Sequence, residues 1–329
     1  MNGAQLAGPM ADPPVVVVAD PIDRAAVETL RQGPCRVVDV SATPERLAEQ
    51  LASAWGLIVR SRTKVTADLL ARAPRLELVA RAGVGLDNVD LGAARARGIR
   101  VVNAPQAATT SVAELTVALM LLLVRELLPS VASTKAGRWE RGVHGHELAG
   151  RTVGFVGYGR IAREVAARLV PFGVRTMAFD PFVTSTSDRT ELVDLDHLLA
   201  GADIVSVHAA LTGENRHLLD AGAIGKMRPG AFLVNVARGA LVDETALLEA
   251  LRSGRLAGAA LDVFETEPPT RRELLDDPRV IPTPHLGAST EEAQRRAGAD
   301  AVAEVLRALQ ALPAEASPAA PPAKAPGAR

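Results

Sequence analysis

Residues 153–162 read Val-Gly-Phe-Val-Gly-Tyr-Gly-Arg-Ile-Ala, and this stretch decides the fold. Its apolar start is typical of a buried strand, and apolar residues recur at helical spacing from Ile161 onward. Between them, Gly157 and Gly159 predict a tight turn. A strand that turns through glycines into a helix directs free N–H groups, and the positive end of the helix dipole, at an anion. The stretch therefore predicts an anion-binding turn.

Asp180 ends the next apolar run, about 20 residues beyond the glycine turn, where dinucleotide-binding folds place an acid. A carboxylate there can accept hydrogen bonds from both ribose hydroxyls of an adenine dinucleotide. Because it would repel a 2′-phosphate, the pattern favours NAD over NADP. Ala162 stands at the third glycine position, where close packing of helix on strand permits alanine. The alternative is an ordinary strand-to-helix turn without a ligand.

The composition indicates a globular protein without an electrostatic preference for polyanions. The chain has 329 residues, of which 48% are hydrophobic and 23% charged, and its net charge is −1. This charge gives no basis for binding nucleic acid or a membrane surface. Cys35 is the only cysteine, so no intrachain disulfide can form and a cytoplasmic location is expected. No signal peptide is expected, and the apolar run 115–124 is too short to span a bilayer.

Short apolar runs alternate with helical patterns in both halves of the chain, which predicts an α/β fold with two doubly wound, Rossmann-like parallel sheets. The predicted strands are Val15–Ala19, Arg36–Val40, Leu57–Arg60, Leu76–Ala80, a strand starting at Thr152, Thr176–Phe179, Ile204–His208, Phe232–Asn235, Gly258–Asp262 and Val280–Pro282. Long helices are predicted over 112–125 and 291–312, and a shorter one over Pro44–Ala52.

The domain organisation is predicted to be discontinuous. Residues 105–288 would form a cofactor domain, inserted into a substrate domain made of residues 1–104 and 289–312. The last stretch, residues 313–329, is rich in proline and alanine, so it is expected to be disordered.

Three chemically suggestive residues, Arg238, Glu267 and His285, each follow a predicted strand. The carboxyl ends of parallel strands line the ligand crevice, so these side chains are expected to converge. Imidazole accepts a proton near neutral pH, a carboxylate orients it, and a guanidinium grips a carboxylate through a two-donor fork. The set suits the interconversion of a 2-hydroxy acid and a 2-keto acid. Taken singly, the three could be a surface ion pair, a solvated acid and a structural histidine.

A second anion site is predicted nearer the N-terminus. Arg60 and Arg62 directly follow a predicted strand, and Arg81–Gly85 is a glycine loop whose N–H groups could cradle a carboxylate. The alternative for the two arginines is a pair of solvated charges. His144 and His146 lack further ligands nearby, so no metal site is predicted.

These motifs resemble the D-isomer-specific 2-hydroxyacid dehydrogenase family over nearly the whole chain. The segments that carry the resemblance are Ile58–Asp68, Arg81–Asp90, Gly137–Arg141, Val156–Ala162, Asn235–Val242, Ala259–Pro268 and Pro284–Ala293. The resemblance implies NAD as cofactor, the split two-domain fold and a homodimer formed through the cofactor domain.

The resemblance also implies roles for individual residues. Arg238 would bind substrate in catalysis, Glu267 would be the partner of the histidine, and His285 would donate and accept the proton. The implied cofactor contacts are Val84, Gly157, Gly159, Arg160, Ile161, Asp180, Ala209, Val236, Ala237, Arg238, Asp262, His285, Leu286, Gly287 and Ala288. The implied substrate contacts are Arg60, Ser61, Val84, Gly85, Arg238 and His285.

Within the family, the chain is most similar to the members that oxidise 3-phospho-D-glycerate to 3-phosphooxypyruvate, the first step of serine biosynthesis. The basic clusters Arg60–Arg62 and Arg138–Arg141 favour a phosphorylated substrate. Ala108 stands near the place where those members usually carry a substrate-contacting asparagine, which supports another D-2-hydroxy acid as an alternative. A second alternative is an NAD-sensing, corepressor-like binding protein. No regulatory serine-binding domain is expected after the last predicted helix.

Overall fold

The computed structural model describes residues 12–142 and 144–312. Residues 313–329 lie outside this description, so their disorder stays a prediction. Strands and helices alternate along the described chain, and the paired strands run parallel. The predicted α/β class is therefore confirmed.

The elements of the described part have the following bounds. The strands are β1 (Val15–Val18), β2 (Arg36–Asp39), β3 (Ala54–Val59), β4 (Leu78–Arg81), β5 (Arg100–Asn103), β6 (Thr152–Val156), β7 (Arg175–Phe179), β8 (Glu191–Leu192), β9 (Ile204–Val207), β10 (Ala231–Asn235), β11 (Leu256–Leu261) and β12 (Val280–Pro282). The α-helices are α1 (Arg24–Arg31), α2 (Leu47–Gln50), α3 (Ala67–Ala71), α4 (Leu91–Ala96), α5 (Thr109–Val124), α6 (Leu127–Lys135), α7 (Arg160–Leu169), α8 (Leu195–Gly201), α9 (Ala221–Lys226), α10 (Glu244–Arg252), α11 (Arg272–Leu275) and α12 (Glu291–Gln310).

Within the described residues the strands form two sheets. The first has the order β2-β1-β3-β4-β5, and the second has the order β12-β11-β10-β9-β6-β7-β8. In each sheet the strand order reverses direction next to the first strand, which is the switch point where doubly wound folds bind ligands at the carboxyl ends of the strands.

The chain divides into two compact units. Within the described residues, the first comprises residues 12–107 and 294–312, and the second comprises Ala108–Ala293. The predicted domains change at residues 104 and 288, close to these boundaries. The division of labour between a substrate domain and a cofactor domain stays a prediction at this point.

The core of the first unit explains the run of four valines in β1. Val15 and Val17 pack into one apolar cluster with Leu57 and Leu70, and Val16 and Val18 pack into another with Leu30 and Val305. Successive side chains of a strand point to opposite faces of its sheet. A strand covered on both faces is therefore apolar throughout, as parallel strands between helix layers are.

The second unit is built in the same way around β6, whose five residues are all buried. A large apolar cluster on one side joins β9, β10 and β11 to α8, α9 and α10. The helix α5 packs against β10, β11 and α7. Among the described residues, no one helix has the length and hydropathy to cross a membrane. The helices α5 and α6 have them only when taken together, and they are bent by 67° where they meet.

Candidate active site

The glycine turn between β6 and α7 is shaped for a close approach of two backbones and for an external anion. Gly157 has a φ of 89°, and a Cβ added there would lie 2.6 Å from the Ala209 nitrogen. A Cβ added at Gly159 would meet nothing within 4 Å, so the space before it is open. Gly159 is the N-cap of α7 and offers no side-chain hydrogen bond to the helix N-terminus, which is the end of a helix that attracts anions.

Asp180 lies directly beside this turn. Its Oδ2 accepts a hydrogen bond from the Tyr158 N–H at 2.8 Å, and its Oδ1 accepts one from the Phe182 N–H at 2.9 Å. A carboxylate has about four lone-pair positions, so both oxygens can accept further hydrogen bonds from ribose hydroxyls. Ala162 is fully buried in α7, as close packing at the third glycine position requires. The residues present fit a dinucleotide with an unphosphorylated ribose.

His285 and Glu267 form a direct pair. His285 Nδ1 lies 2.9 Å from Glu267 Oε2, and Glu267 Oε1 accepts the Phe264 N–H at 3.2 Å. Both carboxylate oxygens are thus occupied, which fixes the orientation of the carboxylate. A carboxylate acceptor places the ring proton on Nδ1 and leaves Nε2 as the proton-accepting atom. About half of the His285 side chain is exposed, at 51%, so Nε2 is accessible.

The backbone around His285 is held by Asp262, which follows β11 and is buried. Its Oδ1 accepts the Thr283 hydroxyl and the Leu286 N–H, both at 2.7 Å, and its Oδ2 accepts the Gly287 N–H at 2.8 Å. Sequence reasoning named Asp262 only as a cofactor contact. Its role in shaping the histidine loop was missed, because these hydrogen bonds join residues more than 20 positions apart.

Arg238 lies on the turn that follows β10. The Asn235 side chain holds this turn, since its Nδ2 donates to the Arg238 carbonyl at 3.0 Å and its Oδ1 accepts the Ala237 N–H at 3.1 Å. The next residue, Gly239, packs against the backbone of Phe264, and a Cβ added at Gly239 would overlap the Phe264 carbonyl group. The turn that carries Arg238 is therefore in contact with the turn that leads to Glu267.

Glu265 ties three loops of the second unit together. Its Oε1 accepts the Glu244 N–H at 3.2 Å, while its Oε2 accepts hydrogen bonds from Arg216 at 2.8 Å and from His217 at 3.0 Å. Desolvation raises the pKa of Glu265, but the His217 and Glu244 hydrogen bonds and the charge of Arg216 outweigh it and hold the pKa below its ordinary value. Sequence reasoning missed this brace.

His208 serves structure and not proton transfer. Its Nε2 lies 2.8 Å from the Ser206 hydroxyl, and burial lowers the pKa of His208 to about 3. The imidazole is therefore neutral at physiological pH.

The predicted cofactor residues of the second unit lie at the carboxyl ends of its strands, on the turns there or in the first turn of α7. The turn after β6 carries Gly157 and Gly159, and the first residues of α7 are Arg160 and Ile161. The turns after the other strands carry Asp180, Ala209, Val236, Ala237, Arg238, Asp262, His285, Leu286, Gly287 and Ala288. In the part of the chain that the structure describes, no three His, Cys, Asp or Glu side chains cluster as metal ligands would.

In the first unit, the predicted substrate residues lie on the turns after β3 and β4. Arg60 and Ser61 begin the first turn, and Val84 and Gly85 lie on the second, where Asn103 Nδ2 donates to the Val84 carbonyl at 2.6 Å. The Arg62 guanidinium was predicted to bind an anion, but in the structure it makes hydrogen bonds within the protein. Its Nη2 donates to the Ala19 and Ser41 carbonyls, so it braces the turn from within.

Three features together define a dinucleotide-dependent oxidoreductase. They are the open glycine turn, the adjacent Asp180 carboxylate that can accept the ribose hydroxyls, and the histidine–carboxylate pair. A family model described as "D-isomer specific 2-hydroxyacid dehydrogenase, NAD binding domain" matches residues 117–287. Hydroxypyruvate reductase of Thermotoga maritima is 43% identical over 299 residues, which are 89% of this chain and 98% of that protein.

Two further proteins extend the comparison. D-3-phosphoglycerate dehydrogenase of Mycobacterium leprae is 47% identical over 310 residues, 91% of this chain and 57% of that protein, so this chain spans little more than half of that relative. The structure of D-lactate dehydrogenase from Aquifex aeolicus, complexed with NAD and lactic acid, is 30% identical, with a TM-score of 0.78, over 90% of this chain and 95% of that one.

The chain belongs to the D-isomer specific 2-hydroxyacid dehydrogenase family. It is an NAD-dependent oxidoreductase, which confirms the predicted family, enzyme class and cofactor.

Proposed function

We propose that the protein oxidises 3-phospho-D-glycerate to 3-phosphooxypyruvate with reduction of NAD, the first step of serine biosynthesis. The relatives named D-3-phosphoglycerate dehydrogenase, at 44–47% identity, support this substrate. The observation that carries the chemistry is the 2.9 Å pair of His285 Nδ1 and Glu267 Oε2, which leaves Nε2 ready for the substrate hydroxyl.

The proposed proton transfer follows from that pair. His285 Nε2 takes the hydroxyl proton as the C–H bond at C2 breaks, and the ring becomes an imidazolium. Glu267 stabilises the imidazolium and keeps Nδ1 protonated throughout. In the reverse direction the imidazolium returns the proton to the keto oxygen. The bound NAD supplies the hydride acceptor.

Arg238 is proposed to bind the substrate carboxylate, since a guanidinium offers two parallel donors that match two carboxylate oxygens. The Asn235 side chain and the Gly239 contact fix the backbone from which Arg238 projects. Arg60, Ser61, Val84 and Gly85 are proposed as further substrate contacts. In the described residues, the Arg60 guanidinium has no ion pair or hydrogen bond within the protein, which leaves its donors for an anion.

The cofactor contacts are proposed on the same basis. The N-terminus of α7 and Gly159 would hold the pyrophosphate, and Asp180 would accept the ribose hydroxyls. The remaining residues on the strand-end turns would complete the binding site.

A second candidate function is the reduction of another 2-keto acid, such as hydroxypyruvate. It is favoured by Ala108, which cannot supply a polar contact, and by the hydroxypyruvate reductase that aligns with nearly its whole length. A panel of acids separates the two functions through NADH absorbance. The proposal predicts that kcat/KM for 3-phospho-D-glycerate exceeds that for D-glycerate and D-lactate. Preferred turnover of hydroxypyruvate over 3-phosphooxypyruvate would favour the second candidate.

A homodimer in the cytoplasm completes the proposal. Apolar side chains are exposed on α6 and just beyond it, namely Leu127, Leu128, Val131 and Trp139. Such a surface is typical of a protein interface. Light scattering during size exclusion should give twice the chain mass, and Val131→Asp should shift the protein towards the monomer. The single cysteine, Cys35, supports the reducing compartment.

A further inference from the structure

We propose that Asp20 is a positioning residue for the acid substrate, because its carboxylate fixes the turn that presents Arg60 and Ser61. The inference rests on the proposed function, which assigns these two residues to the substrate. It concerns only the first unit, where Asp20 follows β1 and the turn follows the neighbouring strand β3.

The carboxylate of Asp20 is buried, at 1% exposure, and is saturated with donors from the turn. Its Oδ2 accepts the Arg60 N–H at 2.7 Å and the Thr63 N–H at 3.0 Å, and its Oδ1 accepts the Thr63 hydroxyl at 2.6 Å. Charge-assisted hydrogen bonds of this length are stronger than neutral ones. One side chain thus holds both ends of the turn.

Arg62 compensates the buried charge. Its Nε lies 3.4 Å from Asp20 Oδ1, and its Nη2 donates to the Ala19 carbonyl at 2.9 Å and to the Ser41 carbonyl at 2.7 Å. A buried carboxylate is costly unless it is paired and hydrogen-bonded. Desolvation raises the pKa of Asp20, but the Thr63 and Arg60 hydrogen bonds and the charge of Arg62 hold it below its ordinary value.

The opposite side of the turn is fixed by Asn88. Its Nδ2 donates to the Arg60 carbonyl at 3.0 Å and to the Thr63 carbonyl at 2.7 Å. The N–H and the carbonyl of both Arg60 and Thr63 are therefore engaged, while the Arg60 guanidinium is not. This combination is preorganisation: the backbone is fixed before the ligand arrives, so binding does not have to order it.

Loosening the turn should weaken substrate binding without affecting the chemical step. An anion held by Arg60 is held alike in the ground state and in the transition state. A loss of such uniform binding raises KM and leaves kcat nearly unchanged. The glycine turn that would bind NAD belongs to the other unit, so cofactor affinity should not change.

The test is Asp20→Asn in the full chain, with the preferred acid of the substrate panel. The amide has the size of the carboxylate, but its NH2 group faces groups that also donate, namely the N–H groups and the hydroxyl of the turn. The substitution also leaves Arg62 without its counter-charge. We expect KM for the acid to rise about tenfold or more, kcat to change less than about threefold, and the Kd of NADH to stay constant.

A milder pair of variants keeps the test valid should Asp20→Asn fold poorly. Thr63→Val removes only the 2.6 Å hydroxyl hydrogen bond, and Thr63→Ser restores it. KM for the acid should be highest in Asp20→Asn and lower in Thr63→Val. In Thr63→Ser it should be close to that of the unaltered protein. Leu30→Ala serves as the control. Leu30 is buried in α1 and shares no hydrogen bond with the turn, so its truncation should lower Tm without moving the turn.

Two outcomes overturn the inference separately from the proposed function. Unchanged KM in both Asp20→Asn and Thr63→Val, with a lowered Tm, would reduce Asp20 to a structural residue. A rise in KM for NAD equal to that for the acid would also contradict it. If the unaltered protein oxidises none of the acids and reduces none of the keto acids, the proposed function fails first.

Discussion

His285 adopts a left-handed backbone conformation, with a φ of 55°, which costs a non-glycine residue about 1 kcal/mol. The conformation persists because Asp262 accepts the N–H groups of the two following residues. Glu267 then orients the ring through Nδ1. One carboxylate fixes the backbone of the histidine, and the other fixes its imidazole.

Replacing His285 with Ala should lower kcat by about a hundredfold or more, the usual loss when a positioned acid–base group is removed. The Kd of NADH should change far less than kcat, because the glycine turn and Asp180 are untouched. Steady-state NADH formation and fluorescence titration measure the two effects. His197→Ala, an exposed histidine of α8, is the matched control. Near-normal turnover in His285→Ala would remove the histidine from the mechanism.

Replacing Asp180 with Asn should relax the choice of cofactor. The amide retains an acceptor for the Tyr158 N–H, but it loses the charge that repels a 2′-phosphate. The ratio of kcat/KM for NAD to that for NADP should fall about tenfold or more. Asp194→Asn, the exposed N-cap of α8, is the control. An unchanged ratio would mean that Asp180 does not face the ribose.

At the scale of elements, two turns depend on glycines for different reasons. Gly157 needs a positive φ and a close approach to Ala209, whereas Gly239 needs only the absence of a side chain next to Phe264. The contact at Gly239 joins the turns after β10 and β11, so it sets the spacing of Arg238 and Glu267.

Gly239→Ala should therefore damage both stability and turnover. The added methyl group must displace the Phe264 backbone, and overpacking of this kind costs about 1–3 kcal/mol. Urea unfolding and kcat measure the two effects. Gly225→Ala is the control, since a Cβ there meets nothing and alanine is the better helix former in α9. Full activity in Gly239→Ala would contradict the role given to this contact.

Most strands were predictable because buried parallel strands are continuous apolar runs. β1 and β10 begin and end close to their predicted bounds, and β6 begins at the predicted residue, Thr152. The edge strands β5 and β8 were missed, because β5 has only two apolar residues, neither of them fully buried, and β8 has only two residues. The helix predicted over Pro44–Ala52 is divided into a 3-10 turn, α2 and a second 3-10 turn.

The candidate site was predictable where chemistry alone selects a residue. Arg238, Glu267 and His285 were proposed from their position after strands, and the structure brings the last two together. Asp20, Glu265 and Gly239 were not, because each acts through hydrogen bonds or backbone contacts with residues about 20 or more positions away. Such contacts leave no periodic or motif signal in a single sequence.

At the scale of the whole molecule, stability should fall in acid. Carboxyl groups in both units have a pKa below the ordinary value, held there by hydrogen bonds and nearby cations against desolvation, and they are Asp20, Asp188, Asp243, Glu265 and Asp277. A carboxyl group whose pKa is lower in the folded state stabilises the protein at pH values above its unfolded-state pKa, near 4. This stabilisation is lost as the pH falls through the folded-state pKa.

The free energy of unfolding should therefore be nearly constant from pH 7 to pH 5 with respect to these groups and should decline below about pH 4. Urea unfolding at several pH values measures this. Glu265→Gln should reduce the slope, whereas Glu45→Gln, an exposed glutamate, should not. Greater stability at pH 3 than at pH 6 would contradict the assignment.

The central claim is that Arg238, Glu267 and His285 act together on a 2-hydroxy acid beside bound NAD. A crystal structure with NADH and oxamate, an isostere of a 2-keto acid, tests it most directly. The amide oxygen of oxamate, which stands in for the keto oxygen, is expected within about 2.6–3.2 Å of His285 Nε2, and the carboxylate is expected on the Arg238 fork. Oxamate bound elsewhere, or an Arg238 side chain turned away from it, would contradict the account.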